Sequence, residues 1–162
     1  MGLRKKIRFK RLGPDETRRH TLMLIGFILR EFKLPFIVLS NLIKILKKVR
    51  RSREGWFYIP LKVIRKEIGF VTIKCIKGRV YRRDSLCRLI SYMKKRRIAI
   101  IIKDGVKRSR SYLILHPDIV EYFRKRIKLI EQFLLEYKEG GIFISEEDAK
   151  AEFIQIFRKL HA

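Results

Sequence analysis

Lys103, Lys107, Arg108 and Arg110 place four cations within eight residues, around an Asp104-Gly105 pair whose aspartate is the only acid among them. Ammonium and guanidinium groups at that density repel one another unless a multiply charged anion visits. The chemistry they offer is charge-assisted hydrogen bonding to oxyanions, phosphate above all. A second constellation lies upstream. Arg88, Ser91 and Lys95 are spaced three and four residues apart, which puts them on one face of a helix. Arg82, Arg83 and Ser85 precede them at its N-terminal end. Arg and Lys on such a face can donate several charge-assisted hydrogen bonds.

The other residues that do chemistry are scattered. His20, His116 and His161 share no motif with Cys, Asp or Glu, and Cys75 and Cys87 sit in neither a CxxC nor a CxxH spacing, so no zinc site is expected. There is no glycine-rich phosphate cradle, no Walker-type lysine and no Ser/His/Asp pattern. A two-metal nuclease centre would have to be assembled from distant acids such as Asp84 and Asp104. The expectation is a non-enzymatic protein with no catalytic residues, no cofactor and no metal. The two cysteines read as small buried thiols, with a disulfide as the alternative.

Charge is concentrated as well as high. Of 162 residues, 41 are Lys or Arg and 16 are Asp or Glu, a formal net charge of +25. Between Lys44 and Arg110 stand 23 basic residues and four acids, Glu54, Glu67, Asp84 and Asp104. Such self-repulsion destabilises a compact state, and the partner that explains it is a polyanion, nucleic acid being the commonest. With 47% hydrophobic and 11% aromatic residues, the chain has material for a packed core and is not a disordered basic tail. One asparagine and two glutamines against abundant Lys, Arg, Glu and Ile fit a thermophilic origin. The longest uncharged apolar run, 22–29, is far short of the ~20 residues of a membrane span. No signal peptide is expected, and the chain reads as cytoplasmic and nucleoid-associated.

These side chains need elements to position them. Residues 1–13 carry six basic residues and no acid and read as a flexible arm. Gly13-Pro14-Asp15-Glu16 opens a helix, with proline at the first position and acids in the first turn. A second helix is expected over 36–51, a strand over 57–59 and a short helix over 60–68. The stretch 69–83 reads as either a small hairpin or an extended loop. Asp84 is a good N-cap for a helix over 84–97. Strands follow over 98–103 and 110–115, joined through Asp104-Gly105, a hairpin turn signal. His116-Pro117-Asp118 then opens one long helix to about 138. In it Ile119, Phe123, Ile127, Ile130, Leu134 and Tyr137 form a near-heptad stripe that suits either the chain's own N-terminal helix or a second copy. Gly140-Gly141 ends it, and Ser145 to Asp148 resembles the start of a last amphipathic helix.

The order helix, strand, helix, helix, hairpin between 34 and 116 resembles a winged helix-turn-helix domain, through pattern rather than a diagnostic peptide. The resemblance implies an α+β, mostly helical fold: a winged-helix core at 34–116, an N-terminal helix at 14–33 and a C-terminal helical extension at 117–162 for dimerisation. It implies that 84–97 is the recognition helix in the major groove, carrying Arg82, Arg83, Ser85, Arg88, Ser91 and Lys95. The hairpin would be the wing, with Lys103, Lys107, Arg108 and Arg110 at its tip on the backbone or minor groove. A hyperthermophilic archaeon or one of its mobile elements is the source it suggests. One departure stands out: such helices are usually joined by a turn of about 3–4 residues, and here 69–83 intervenes. The function expected is sequence-specific binding of double-stranded DNA by a homodimeric transcriptional regulator. RNA or ribosome binding, a replication-initiator or mobile-element protein, and a chromatin-type packaging protein are the alternatives.

Overall fold

The computed structural model describes residues 9–68, 73–76, 79–82, 85–103, 111–139 and 145–159, of which 65–68, 73–76, 79–82, 85–87, 103 and 138–139 are described in backbone only. The protein is α+β and mostly helical. Proline opens helices α1 (Pro14–Glu31) and α2 (Pro35–Lys48), where its missing N–H costs nothing and its fixed φ suits the first turn.

α2 is the axis of the molecule. Phe36, Val38, Leu39, Leu42, Ile43, Ile45 and Leu46 are all buried, too many for one stripe. The helix is accordingly covered on most sides by α1, α3 (Leu61–Ile68), α4 (Ser85–Lys95), α5 (Pro117–Arg124) and α6 (Ile127–Glu139). The sequence pattern extends α2 to 51, but the chain leaves it at Val49. Arg124 donates from Nε and Nη2 to the Leu46 carbonyl at 3.1 and 2.9 Å, and from Nη2 to that of Val49 at 2.8 Å. It takes the carbonyls of the last turn. Arg50–Arg51 becomes a short strand, β1, folded back on β2 (Phe57–Pro60). Gly55 (φ 93°) sits in the turn, and Ser52 exchanges bonds with Trp56 there.

β2 continues the pairing to β6 (Ser111–Leu115), and β6 to β5 (Ala99–Lys103), giving an antiparallel sheet in the order β1-β2-β6-β5. Phe57, Leu115 and Ala99 stand in register, as do Tyr58, Ile114 and Ile100. Alternation sends Phe57, Ile59, Ala99, Leu113 and Leu115 to the helices. Tyr58, Tyr112, Ile100, Ile102 and Ile114 face the other way, grouped with Trp56 and Phe9. Of the two readings of the stretch between α3 and α4, the hairpin is found: β3 (Ile73–Ile76) pairs with β4 (Arg79–Arg82), Ile73 opposite Arg82.

The single long helix expected from residue 117 is two helices, α5 and α6. No proline or glycine is responsible. The Arg126 N–H turns to the Phe123 carbonyl at 3.0 Å, tightening the turn, and the helix resumes with Ile130 N–H on Arg126 O at 3.1 Å. The Arg126 guanidinium reaches back to the Tyr122 carbonyl at 2.6 Å and lies 3.7 Å from the centre of that ring. Ile119, Phe123, Ile127 and Ile130 are nevertheless buried. α5 packs on α1 and α2, and α6 on α2 and α7 (Glu146–Lys159). Of the two partners the stripe suits, the chain's own N-terminal helix α1 packs against its first part, α5. Phe36, Phe133 and Phe153 close this end with ring centres 5.0–6.2 Å apart. Ser145 caps α7, its Oγ accepting from Asp148 N–H at 3.2 Å. Asp84, Gly140 and Gly141 lie outside the described residues.

The N-terminal segment is not free over its last residues. Leu12 N–H donates to Asp118 Oδ2 at 2.9 Å, and the Lys10 carbonyl lies 2.8 Å from His116 Nε2. His116 Nδ1 accepts from Asp118 N–H at 3.1 Å, capping α5, so the hydrogen on Nε2 faces Lys10. The Phe9 ring centre is 5.0 Å from that of His116. Residues 1–8 of the expected arm lie outside the described residues. Among the described residues no helix is long and apolar enough to cross a membrane.

Candidate nucleic-acid interface

α4 is held by Leu89, Ile90 and Met93, all buried, while Arg88, Ser91 and Lys95 are exposed. The expected face therefore exists, but its members differ. Arg88 is drawn onto α1: its Nη2 is 3.6 Å from Glu31 Oε2, its Nη1 3.3 Å from the Glu31 carbonyl, and its guanidinium 4.9 Å from the Phe32 ring centre. It ties two helices together and is half exposed, whereas among the described residues Ser91 and Lys95 make no such contact. Beside Arg88, Tyr92 stacks on Phe27 at 4.0 Å and its hydroxyl reaches Met23 O at 3.4 Å.

The exit from α4 is a run of exposed cations, Lys94, Lys95, Arg96 and Arg97, of which the sequence pattern made little. Arg97 has φ 60°. Its N–H bonds to the Lys94 carbonyl at 3.0 Å, and Ile98 N–H bonds to the Met93 carbonyl at 3.0 Å. Ile98 and Met93 are both buried. These are the paired bonds and the apolar contact of a Schellman ending, whose left-handed position is ordinarily glycine. A side chain there costs about 1–2 kcal/mol. The local signal for such a stop is a glycine, and its absence hid the turn.

The remaining sequence-predicted positions divide by element. Arg82 ends β4, opposite Ile73, Ser85 is the first residue of α4, and Lys103 ends β5, opposite Ser111. These three are described in backbone only. Arg83, Lys107, Arg108 and Arg110 lie outside the described residues. The pairing of Lys103 with Ser111 ends the described ladder between β5 and β6.

Other cations are engaged within the chain. Lys47 Nζ is 2.7 Å from Glu131 Oε2, and Arg51 Nη1 is 3.9 Å from Glu121 Oε1. Arg124 caps α2 and lies 5.0 Å from the Phe57 ring centre. Local potential is legible at His20 on α1. Its burial comes first, followed by the charges of Arg19 and Arg96, in holding its imidazole below the ordinary 6.5; Glu16 opposes and His116 adds slightly. Among the described residues no group of three His, Cys, Asp or Glu could hold a metal ion. Comparison with protein families, curated proteins and solved structures finds no significant match. What the fold and site define is a class: an α+β, mostly helical protein with a basic helix packed beside an antiparallel sheet.

Proposed function

We propose that this chain is a duplex-DNA-binding protein of the winged helix-turn-helix class. It is a transcriptional regulator that reads base edges with α4 and grips the backbone with the β5–β6 hairpin. The observation that carries the reading is the strand order β2-β6-β5 within the element order α2, β2, α3, α4, β5, β6. The strand ahead of the helix pair closes on the far strand of the hairpin, and the second helix leads directly into that hairpin. On this reading α4 is the helix offered to the major groove. β3 and β4 are then an insertion in the joint between α3 and α4, one whose sequence carries Lys74, Arg79 and Arg82.

Affinity is expected to come largely from phosphate contacts. With on the order of 6–10 phosphates neutralised, log K falls against log[salt] with a slope of roughly −5 to −9. Fluorescence anisotropy with a labelled duplex at several salt concentrations measures it, and a slope near zero rejects the reading. Glutamine at Lys107, Arg108 and Arg110 should weaken binding alike across sequences and flatten the slope by about one per residue. Lys95→Ala should instead relax base preference in a selection from random duplexes.

A second reading, RNA binding, draws on Tyr58 and Tyr112, half-exposed on the outer face of the sheet with ring centres 6.1 Å apart. Rings so placed suit base stacking. Competition between duplex DNA and structured RNA at fixed salt separates the two.

A further inference from the structure

Away from the sheet, α1, the end of α4 and α7 enclose an open cavity of about 650 Å³. Five arginines line it: Arg18, Arg19, Arg30, Arg96 and Arg158. All five are exposed, and among the described residues none is ion-paired. The one carboxylate in the lining is Asp15. The floor is apolar, made by Leu22, Ile25, Ile154 and Phe157, and at its edge the Arg96 guanidinium lies 5.4 Å from the centre of the Tyr92 ring. Gly26 lies there too, in the middle of α1, where a methyl group would stand 3.6 Å from Arg30 Nη1. Glycine in a helix interior costs about 0.5–1 kcal/mol relative to alanine, and here it leaves room.

We propose that this cavity binds a small phosphorylated molecule with a flat apolar body, the chemistry of a nucleotide, its phosphoryl oxygens on the arginines and its body on the floor. Guanidinium forks match phosphate oxygens two at a time, which an ammonium does not. Five of them around one carboxylate repel one another unless an anion stands between. The volume falls within the range of small-ligand pockets, roughly 300–1,000 Å³. A nucleic-acid backbone running over a convex surface would need the arginines but not the apolar recess. Tyr92 and Arg96 also lie about a quarter turn round α4 from Ser91 and Lys95, at ~100° per residue. The site thus adjoins the proposed reading face without sharing its side chains. The positive potential is felt at His20, whose imidazole Arg19 and Arg96 help to hold below its ordinary value.

Calorimetric titration of the full chain with ADP, inorganic pyrophosphate and adenosine, each separately, tests the proposal. ADP should bind at least tenfold more tightly than either pyrophosphate or adenosine, since only ADP uses both walls. Arg18→Ala with Arg158→Ala should weaken ADP at least tenfold while circular dichroism is unchanged. Gly26→Leu should also weaken ADP, by filling the recess beside Arg30. The His20 ring-proton titration, followed by NMR, should move to higher pH when ADP is bound. The proposal is overturned if ADP binds no better than pyrophosphate, or if the double arginine variant leaves ADP affinity unaltered. It is also overturned if that variant loses duplex affinity and about two units of salt slope while ADP does not bind. In that last case the arginines belong to the nucleic-acid footprint. Failure of duplex binding in the unaltered chain bears on the DNA reading alone.

Discussion

Arg97 occupies a backbone position that suits glycine, at the end of α4, the helix proposed to read the duplex. Arg97→Gly should raise stability by about 0.5–1 kcal/mol, the relief of left-handed strain less the added freedom of the unfolded chain. Urea unfolding reads this directly. If the cation serves a polyanion, the same variant should lose duplex affinity, so that stability and binding move in opposite directions. Arg88 should behave otherwise. Its guanidinium rests on Glu31 and Phe32, and such contacts at half-exposed sites contribute about 0.5–1 kcal/mol. Arg88→Ala should therefore destabilise the fold by that amount, whereas Lys95→Ala should leave the unfolding midpoint in place. Equal midpoints for the two variants would show that the tie between α1 and α4 contributes nothing.

At the scale of elements, the N-terminal segment is fastened where α5 begins. His116 donates to the Lys10 carbonyl and Asp118 accepts from the Leu12 N–H, so one capping pair serves both a helix start and a clasp. Asp118→Ala should free the segment, and trypsin should then cut after Lys10 and Arg11 several-fold faster, with the rest of the chain equally resistant. Unchanged cleavage would mean that Phe9, packed on the outer face of the sheet, suffices to hold it. How far such elements were legible depends on what specifies them. The apolar density of 36–46 announces a helix, and the β-branched run at 98–102 announces a strand, because both are local patterns. The break at Lys125 and Arg126 was not legible, since no proline or glycine marks it. The end of α2 at Lys48 depends on Arg124, far along the chain. The exposed face of α4 could be read from its period, but Glu31 and Phe32 beneath Arg88 could not. The five arginines of the cavity come from 18–19, 30, 96 and 158, and only tertiary packing assembles them.

For the whole molecule, pH should act in one direction through His20. Its imidazole is held below 6.5, first by burial and then by Arg19 and Arg96, so the unfolded chain takes up a proton there before the folded one does. Stability from this group is intact above 6.5 and falls as pH drops through that value, until the folded-state value is passed. The unfolding midpoint of His20→Gln should accordingly decline less between pH 7.5 and 5.5 than that of the unaltered chain; identical declines would remove His20 as the cause. Topology has a further bearing, on synthesis. β2 pairs with β6, whose last residue, Leu115, emerges from the ribosome roughly sixty residues after Phe57, a delay of about 3–12 seconds at ~5–20 residues per second. During that interval the growing chain presents Trp56, Phe57 and Ile59 with one edge unpaired. The other edge is closed at once by Arg50 and Arg51 in the β1 hairpin, and charged residues on an edge discourage strand-to-strand association between chains. The two arginines then act as gatekeepers for a nascent polypeptide, and replacing both with threonine should lower the soluble yield of newly made protein more than it lowers the stability of the finished one.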